Sequence, residues 1–279
     1  MARSALVLGG GGITGAAWEI GMLAGLRADG VDLTTADVVI GTSAGSVVGA
    51  QILSGEHLEE LYARQFRNPM GEVASHLGLT AMARFLGLML MPGDERKARA
   101  RIGRASLRAH TMPEAARRQI IANRLPANTW PDRDLRITTV DAETGEFVVF
   151  TRESGVGLVD AVCASCAVPL VYPPATVNGR RYIDGGMRSV ANADLATGCD
   201  PIVALTPIGL ALRRRQSTSA QIASLGKGVR SIVVTADRHA RRAMGSQALD
   251  PAFRAASARA GREQATSVAR AVAEVWARV

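Results

Sequence analysis

The sequence predicts an α/β protein: a three-layer α/β/α sandwich around a mainly parallel central sheet. Three observations predict it. Short β-branched apolar runs alternate with longer stretches of helical period along the 279 residues, the alternation that βαβ units produce. Several of these runs are continuously apolar, as strands covered on both faces are. No internal repeat or long Gly/Ser linker divides the chain, and α/β folds spend such a length on a single core.

The first strand, Ala5–Leu8, ends in a run of four glycines and leads to a helix over Thr14–Ala28 carrying Trp18, Ile20, Met22 and Leu23. Val38–Ile40 is the second strand, followed by helices over Ser43–Leu53 and Glu56–Phe66. From about 69 to 111 no strand pattern occurs, an unusually long crossover suited to a lid or a substrate-binding insertion. Within it Leu77–Met91 has helical period, is rich in Leu and Met, and carries Arg84 as its only charge. It reads either as a core helix of the insertion or as an adaptable wall for acyl chains. A basic helix with Arg96, Lys97, Arg99, Arg101, Arg104 and Arg108 follows, then a helix over Pro113–Asn123. Strands are expected at Leu135–Val140 and Phe147–Phe150, a helix at Gly157–Cys163, and strands at Tyr182–Ile183, Ile202–Leu205 and Ile232–Val234. A helix over Glu263–Trp276 closes the chain.

Composition excludes several classes. With 47% apolar residues the chain is not disordered. No run approaches the roughly 18 apolar residues of a transmembrane helix. The formal charge is +8, yet 31 of the 33 basic residues are Arg, which reads as compositional bias. Aromatics at 4% leave no base-stacking platform, and no nucleic-acid motif occurs, so no nucleic-acid partner is expected. Apolar surface beside the basic helix and beside Arg213-Arg214-Arg215 would suit peripheral contact with an anionic membrane. The plain alternative is solvated arginine-rich faces.

Cys163 and Cys166 form a CxxC with no second pair, and His57, His76, His110 and His239 are scattered. No metal site or cofactor is expected; the thiols read as buried groups in a reducing compartment. The apolar run Ala5–Leu8 is too short for a signal peptide. A cytoplasmic protein is expected.

Two glycine-rich turns and one acidic turn carry chemistry. Gly41-Thr42-Ser43-Ala44-Gly45 stands between a buried strand and a helix. That context makes G-x-S-x-G a nucleophile elbow, with the serine at the apex and glycines where side chains would collide. Its bland reading is a helix cap. Gly9-Gly10-Gly11-Gly12-Ile13-Thr14-Gly15 presents unhindered amides at a helix start, as an oxyanion hole requires. The same loop satisfies the dinucleotide fingerprint of an oxidoreductase, which also needs an acid at the end of the second strand. Ser43 stands there instead. A serine nucleophile needs a base. His239 lies in a polar, surface-like segment. Asp184, in Tyr182-Ile183-Asp184-Gly185-Gly186, ends an apolar strand, although Asp-Gly-Gly alone reads as a hairpin turn. In a water-poor cleft its pKa would rise and its basicity with it.

Together these blocks resemble the patatin-like phospholipases. The glycine loop (Gly10–Gly15), the elbow (Gly41–Gly45) and Asp184-Gly185-Gly186 match in order, and Ala164-Ser165-Cys166-Ala167-Val168-Pro169 is similar to a fourth block of that family. The resemblance implies a catalytic unit over 5–197, with 198–279 completing the same domain. It implies hydrolysis of lipid acyl esters through an acyl-serine, with Ser43 as nucleophile and Asp184 as base. The amides of Gly10, Gly11 and Gly12, the last two foremost, are implied as the oxyanion hole, supported by Gly15, Gly41, Gly45, Gly185 and Gly186. A non-catalytic lipid-binding homologue is the alternative within the resemblance. One position departs: the family usually has Arg or Lys where this chain has Thr14. The change weakens the expected grip on a phosphate head group, and Thr14 is expected to cap the following helix instead.

Overall fold

A computed structural model describes residues 2–67, 85, 87–88, 91, 94–209, 211, 213–226 and 228–277. Eight strands form one sheet: β1 (Arg3–Leu8), β2 (Val38–Thr42), β3 (Asp134–Asp141), β4 (Phe147–Phe150), β5 (Ala175–Val177), β6 (Arg180–Asp184), β7 (Cys199–Thr206) and β8 (Ser231–Thr235). Their order is β5-β6-β3-β2-β1-β7-β8, with β4 also paired to β3. The run β3-β2-β1-β7-β8 is parallel, with Leu6 opposite both Val39 and Val203. The strands β4, β6 and β5 are antiparallel. Sequence reading missed β5, a three-residue strand behind Pro173-Pro174. Its partner β6 is longer than the expected Tyr182–Ile183 because Arg180 and Arg181 also pair, opposite Val177 and Thr176. Asn178 and Gly179 join the two at φ 48° and 75°, the left-handed pair that a tight hairpin favours.

The helices are α1 (Gly12–Ala28), α2 (Ala44–Ile52), α3 (Leu58–Arg64), α4 (Glu95–Leu107), α5 (Glu114–Arg124), α6 (Leu158–Ser165), α7 (Thr218–Ala223), α8 (Arg238–Met244) and α9 (Arg254–Trp276). Alternation along the buried strands divides the core between two faces. Leu6, Leu8, Val39, Leu135 and Val203 join Trp18, Val48, Val162 and Ala265 from the helices on one side. Ala5, Val7, Val38, Ile40 and Ile202 face the other, against Ala193, Ala196 and Ile222. On that same side α4 inserts Ile102 beside Val140, Ala142 and Ile183. The second layer is thinner, built partly from turns.

The last helix starts at Arg254 rather than Glu263. Gly261 interrupts the apolar period in the sequence, but the fold uses it for close approach: a Cβ there would lie 2.3 Å from the Trp18 carbonyl. With α9 and α1 so near, Trp18 Nε1 donates to Gln264 Oε1 at 3.0 Å, and Gln264 Nε2 donates to the Thr235 carbonyl at 2.8 Å. The expected helix over Leu77–Met91 lies mostly outside the described residues; within it Phe85 and Leu88 pack against the Ile102 cluster. No described helix is long and apolar enough to cross a membrane.

Candidate active site

The chain leaves β1 for β2 on one side and later returns to place β7 on the other. A crevice therefore opens beyond the carboxyl end of β1, the usual ligand position in open parallel sheets. The glycine loop and the serine turn both sit there. Gly9 N–H donates to the Leu205 carbonyl at 2.9 Å, and Gly45 N–H donates to the Gly9 carbonyl at 3.1 Å. A Cβ on Gly45 would lie 2.1 Å from the Leu8 carbonyl, so only glycine lets α2 start so close to β1. Gly15 N–H closes the first turn of α1 on the Gly11 carbonyl at 2.9 Å.

Ser43 occupies φ 53°, ψ −115° between β2 and α2, a conformation costly for a side-chain-bearing residue and typical of functional turns. The surroundings hold it there. Its N–H donates to Ser165 Oγ at 2.9 Å. Its carbonyl accepts from Ser46 Oγ at 2.6 Å and from Cys166 Sγ at 3.2 Å. Ser165 and Cys166, at the carboxyl end of α6, thus prop the elbow.

Asp184 ends β6 and is buried with Ser43, both under a tenth exposed. The neighbouring Ser43 hydroxyl favours its charged form, and Gly186 N–H donates to Oδ1 at 2.7 Å. Burial pushes the Asp184 pKa up to about 6, against the opposing pull of those two groups and of the Arg117 charge. Arg117 comes from α5 and is itself buried, its guanidinium 3.6 Å above the Tyr172 ring. Asn192, at φ 52°, ties the parts together. Its Nδ2 lies 3.1 Å from Thr42 Oγ1, 3.3 Å from both Thr138 Oγ1 and the Gly185 carbonyl, and 2.9 Å from the Ser189 carbonyl. The ends of β2 and β3 and the Asp184-Gly185-Gly186 turn are thereby linked through one buried amide.

Of the glycine amides, Gly10 N–H is engaged by the Val190 carbonyl at 2.7 Å. It is not free to meet an oxyanion, which corrects the expectation for Gly10. Gly11 and Gly12 remain at the open first turn of α1, where orphan amides and the helix dipole favour negative charge. Gly10 instead lines the nucleophile: a Cβ there would stand 3.5 Å from Ser43 Cβ. Thr14 does not cap α1. The cap position is Gly11, with no side-chain hydrogen bond, and Thr14 is buried inside the first turn with N–H and Oγ1 3.1 and 3.5 Å from the Ala248 carbonyl. Glu19, further along α1, is also buried, and neither carboxyl oxygen completes a hydrogen bond. Burial raises its pKa well above the usual range, with the Gly9 amide opposing.

His239 lies on the surface of α8, its Nε2 3.2 Å from Glu263 Oε2. Cys163 and Cys166 are buried free thiols, pushed by burial to pKa values of about 12 and about 11; neither is a ready nucleophile. In the basic helix Arg99 and Arg104 donate to the Gly145 and Glu143 carbonyls at 2.9 Å each, while Arg96, Lys97, Arg104 and Arg108 stay exposed. Arg215 of the second basic cluster pairs with Glu95 at 2.6 Å.

Residues 6–197 match the family described as patatin-like phospholipase. No curated protein gives a significant match to the sequence. Among solved structures the chain is similar to VipD from Legionella pneumophila, with a TM-score of 0.52 and 13% identity over 97% of this chain and 67% of VipD. It is also similar to the type III effector protein ExoU, with a TM-score of 0.42 and 19% identity over 97% of this chain and 53% of ExoU. The VipD likeness shows the fold. The family match extends from β1 through the Asp184 turn and Asn192, and the chain belongs to the patatin-like phospholipase family.

Proposed function

We propose that the protein is a serine acyl hydrolase that cleaves acyl esters of lipids through a Ser43–Asp184 dyad. The observation that carries the reading is a serine on a strained elbow whose hydroxyl neighbours a buried carboxyl that burial raises to a pKa of about 6. That value leaves Asp184 ionised at neutral pH and far more basic than an exposed aspartate. Ser43 Oγ attacks the ester carbonyl while Asp184 takes its proton. Negative charge on the carbonyl oxygen develops toward the Gly11 and Gly12 amides and the positive end of α2, where one well-placed donor is worth roughly 10²–10³ in rate. Collapse breaks the ester bond, the leaving alcohol takes the proton from Asp184, and acyl-Ser43 remains. Water then attacks the acyl group, Asp184 accepts a proton from it, and that proton returns to Ser43 Oγ as the fatty acid leaves.

A dinucleotide at the same loop lacks support, since Thr42 and Ser43, with no acid, stand at the end of β2. The working place we assign is the cytoplasm, at the surface of an anionic membrane. Phe66, Met91, Ile208 and Phe253 are the exposed large apolar side chains among the described residues, and Ile208 follows Pro207 beside the glycine loop. Sedimentation with anionic but not neutral vesicles is expected; equal recovery with both removes the membrane part of the proposal. For the chemistry, Ser43→Ala is expected to lower hydrolysis of a short p-nitrophenyl ester by roughly 10⁴-fold or more. Undiminished turnover in that variant overturns Ser43 as the nucleophile, and no turnover in folded wild type leaves the reading of a non-catalytic lipid-binding homologue.

A further inference from the structure

The proposed dyad joins two turns from distant parts of the sequence, and the Asn192 amide ties those turns together. The residue is fully buried, and its amide fits one way round. The Gly185 and Ser189 carbonyls can only accept, so Nδ2 must face them. Its two protons are shared between these carbonyls and the Thr42 and Thr138 hydroxyls. Turned over, Asn192 would set its own oxygen against two carbonyl oxygens.

Arg188 locks that orientation from the other side. Its Nη1 donates to Asn192 Oδ1 at 2.9 Å, and a guanidinium can only donate. Among the described residues it is the side-chain donor to that oxygen. The guanidinium is itself held in place. Nη1 and Nη2 donate to Asp194 Oδ1 and Oδ2 at 2.9 and 2.6 Å, a planar fork matched to a carboxylate. Its central carbon lies 4.2 Å from the centre of the Phe147 ring on β4, and the Arg188 N–H donates to the Gly185 carbonyl at 3.0 Å. Phe147 packs in turn against the cluster of Ile102, Val140 and Ile183, so the fork is braced on the sheet and on α4. An exposed Arg–Asp pair contributes little. This one is half-buried and ends on a buried amide.

We infer that Arg188 is a positioning residue of the proposed dyad: by locking the Asn192 amide it holds the Asp184-Gly185-Gly186 turn against the end of β2, and so sets Asp184 against Ser43. It hydrogen-bonds neither of the two itself. Without it, Asn192 Oδ1 is a buried acceptor with no side-chain donor, which folded proteins avoid, and the amide turns over or withdraws. The Gly185 carbonyl then loses the Nδ2 proton, and Asp184, the residue before it, shifts. Displacing reacting groups by about 1 Å through a distant change costs on the order of 10²-fold in rate. The inference rests on the acyl-hydrolase reading and adds a residue to it.

The test is steady-state kinetics on p-nitrophenyl butyrate, with rates referred to folded protein by circular dichroism. Arg188→Met is expected to lower kcat roughly tenfold or more with KM within about twofold of wild type. A residue that only stabilised the fold would leave kcat per folded molecule unchanged. In the Asn192→Leu background the same substitution is expected to change kcat less than about threefold, because the amide it acts through is gone. Unchanged kcat in Arg188→Met, a change in KM alone, or losses that multiply in the double variant overturns the inference, while wild-type turnover keeps the hydrolase reading standing. No turnover in folded wild type defeats both. If Arg188→Met does not fold, Asp194→Asn takes its place, since it keeps the guanidinium and weakens the fork. There kcat is expected to fall at least about threefold at constant KM, and an unchanged kcat overturns the inference.

Discussion

In the proposed dyad Asp184 can accept a proton from Ser43 only when it is ionised, so a pKa of about 6 would set the acid side of the reaction. The rate constant kcat/KM on a neutral ester is expected to rise with pH through about 6 and level off above it. Arg117 stabilises the carboxylate, so Arg117→Met is expected to move that rise to higher pH; an unmoved profile contradicts the electrostatic link. The same shift has a stability consequence of definite sign. Folding raises this pKa from 3.8 to about 6, so the folded state binds the proton more tightly than the unfolded chain. The contribution is most favourable below about pH 3.8 and is lost as pH rises through about 6. Above that it costs on the order of 3 kcal/mol. Asp184→Asn is therefore expected to melt at a higher temperature than wild type at pH 8 while losing roughly 10²–10⁴ in rate. A lower melting temperature contradicts the assigned ionisation.

At the scale of elements, the site is a junction of β1, β2, β3, β6 and the end of α6, and its precision depends on how these are joined. Asn192→Leu removes the one amide that reaches Thr42, Thr138, Gly185 and Ser189. A loss on the order of 2–4 kcal/mol is expected in urea unfolding, with a fall in ester turnover as the elbow and the Asp184 turn separate. Unchanged stability would show that the linkage carries no load. The turns that carry Ser43, Asp184 and the glycines were legible because sharp turns between apolar strands and helices leave local marks. Asn192 and Ser165 were not, since their partners lie far away in sequence. The Gly10 amide was misjudged for the same reason: the Val190 carbonyl that occupies it comes from a segment without periodicity. The hairpin strand β5 is too short to show alternation, and Gly261 concealed the first part of α9.

Across the whole molecule, the parallel sheet and its covering helices were legible from continuously apolar strands, because burial on both faces leaves no polar alternation. The thinner second layer was not, since turns such as Ala193–Ala196 and the short α7 carry little period. Part of the charge of +8 is engaged within the fold, with loop carbonyls by Arg99 and Arg104 and with Glu95 by Arg215. The proposed chemistry turns on one atom, Ser43 Oγ. Reaction with a fluorophosphonate ester, followed by mass spectrometry of the peptides, reads that atom directly. The account predicts a single adduct on Ser43, absent in Ser43→Ala and formed at least tenfold more slowly in Asp184→Asn. An adduct on any other residue, or none on folded wild type, would contradict it.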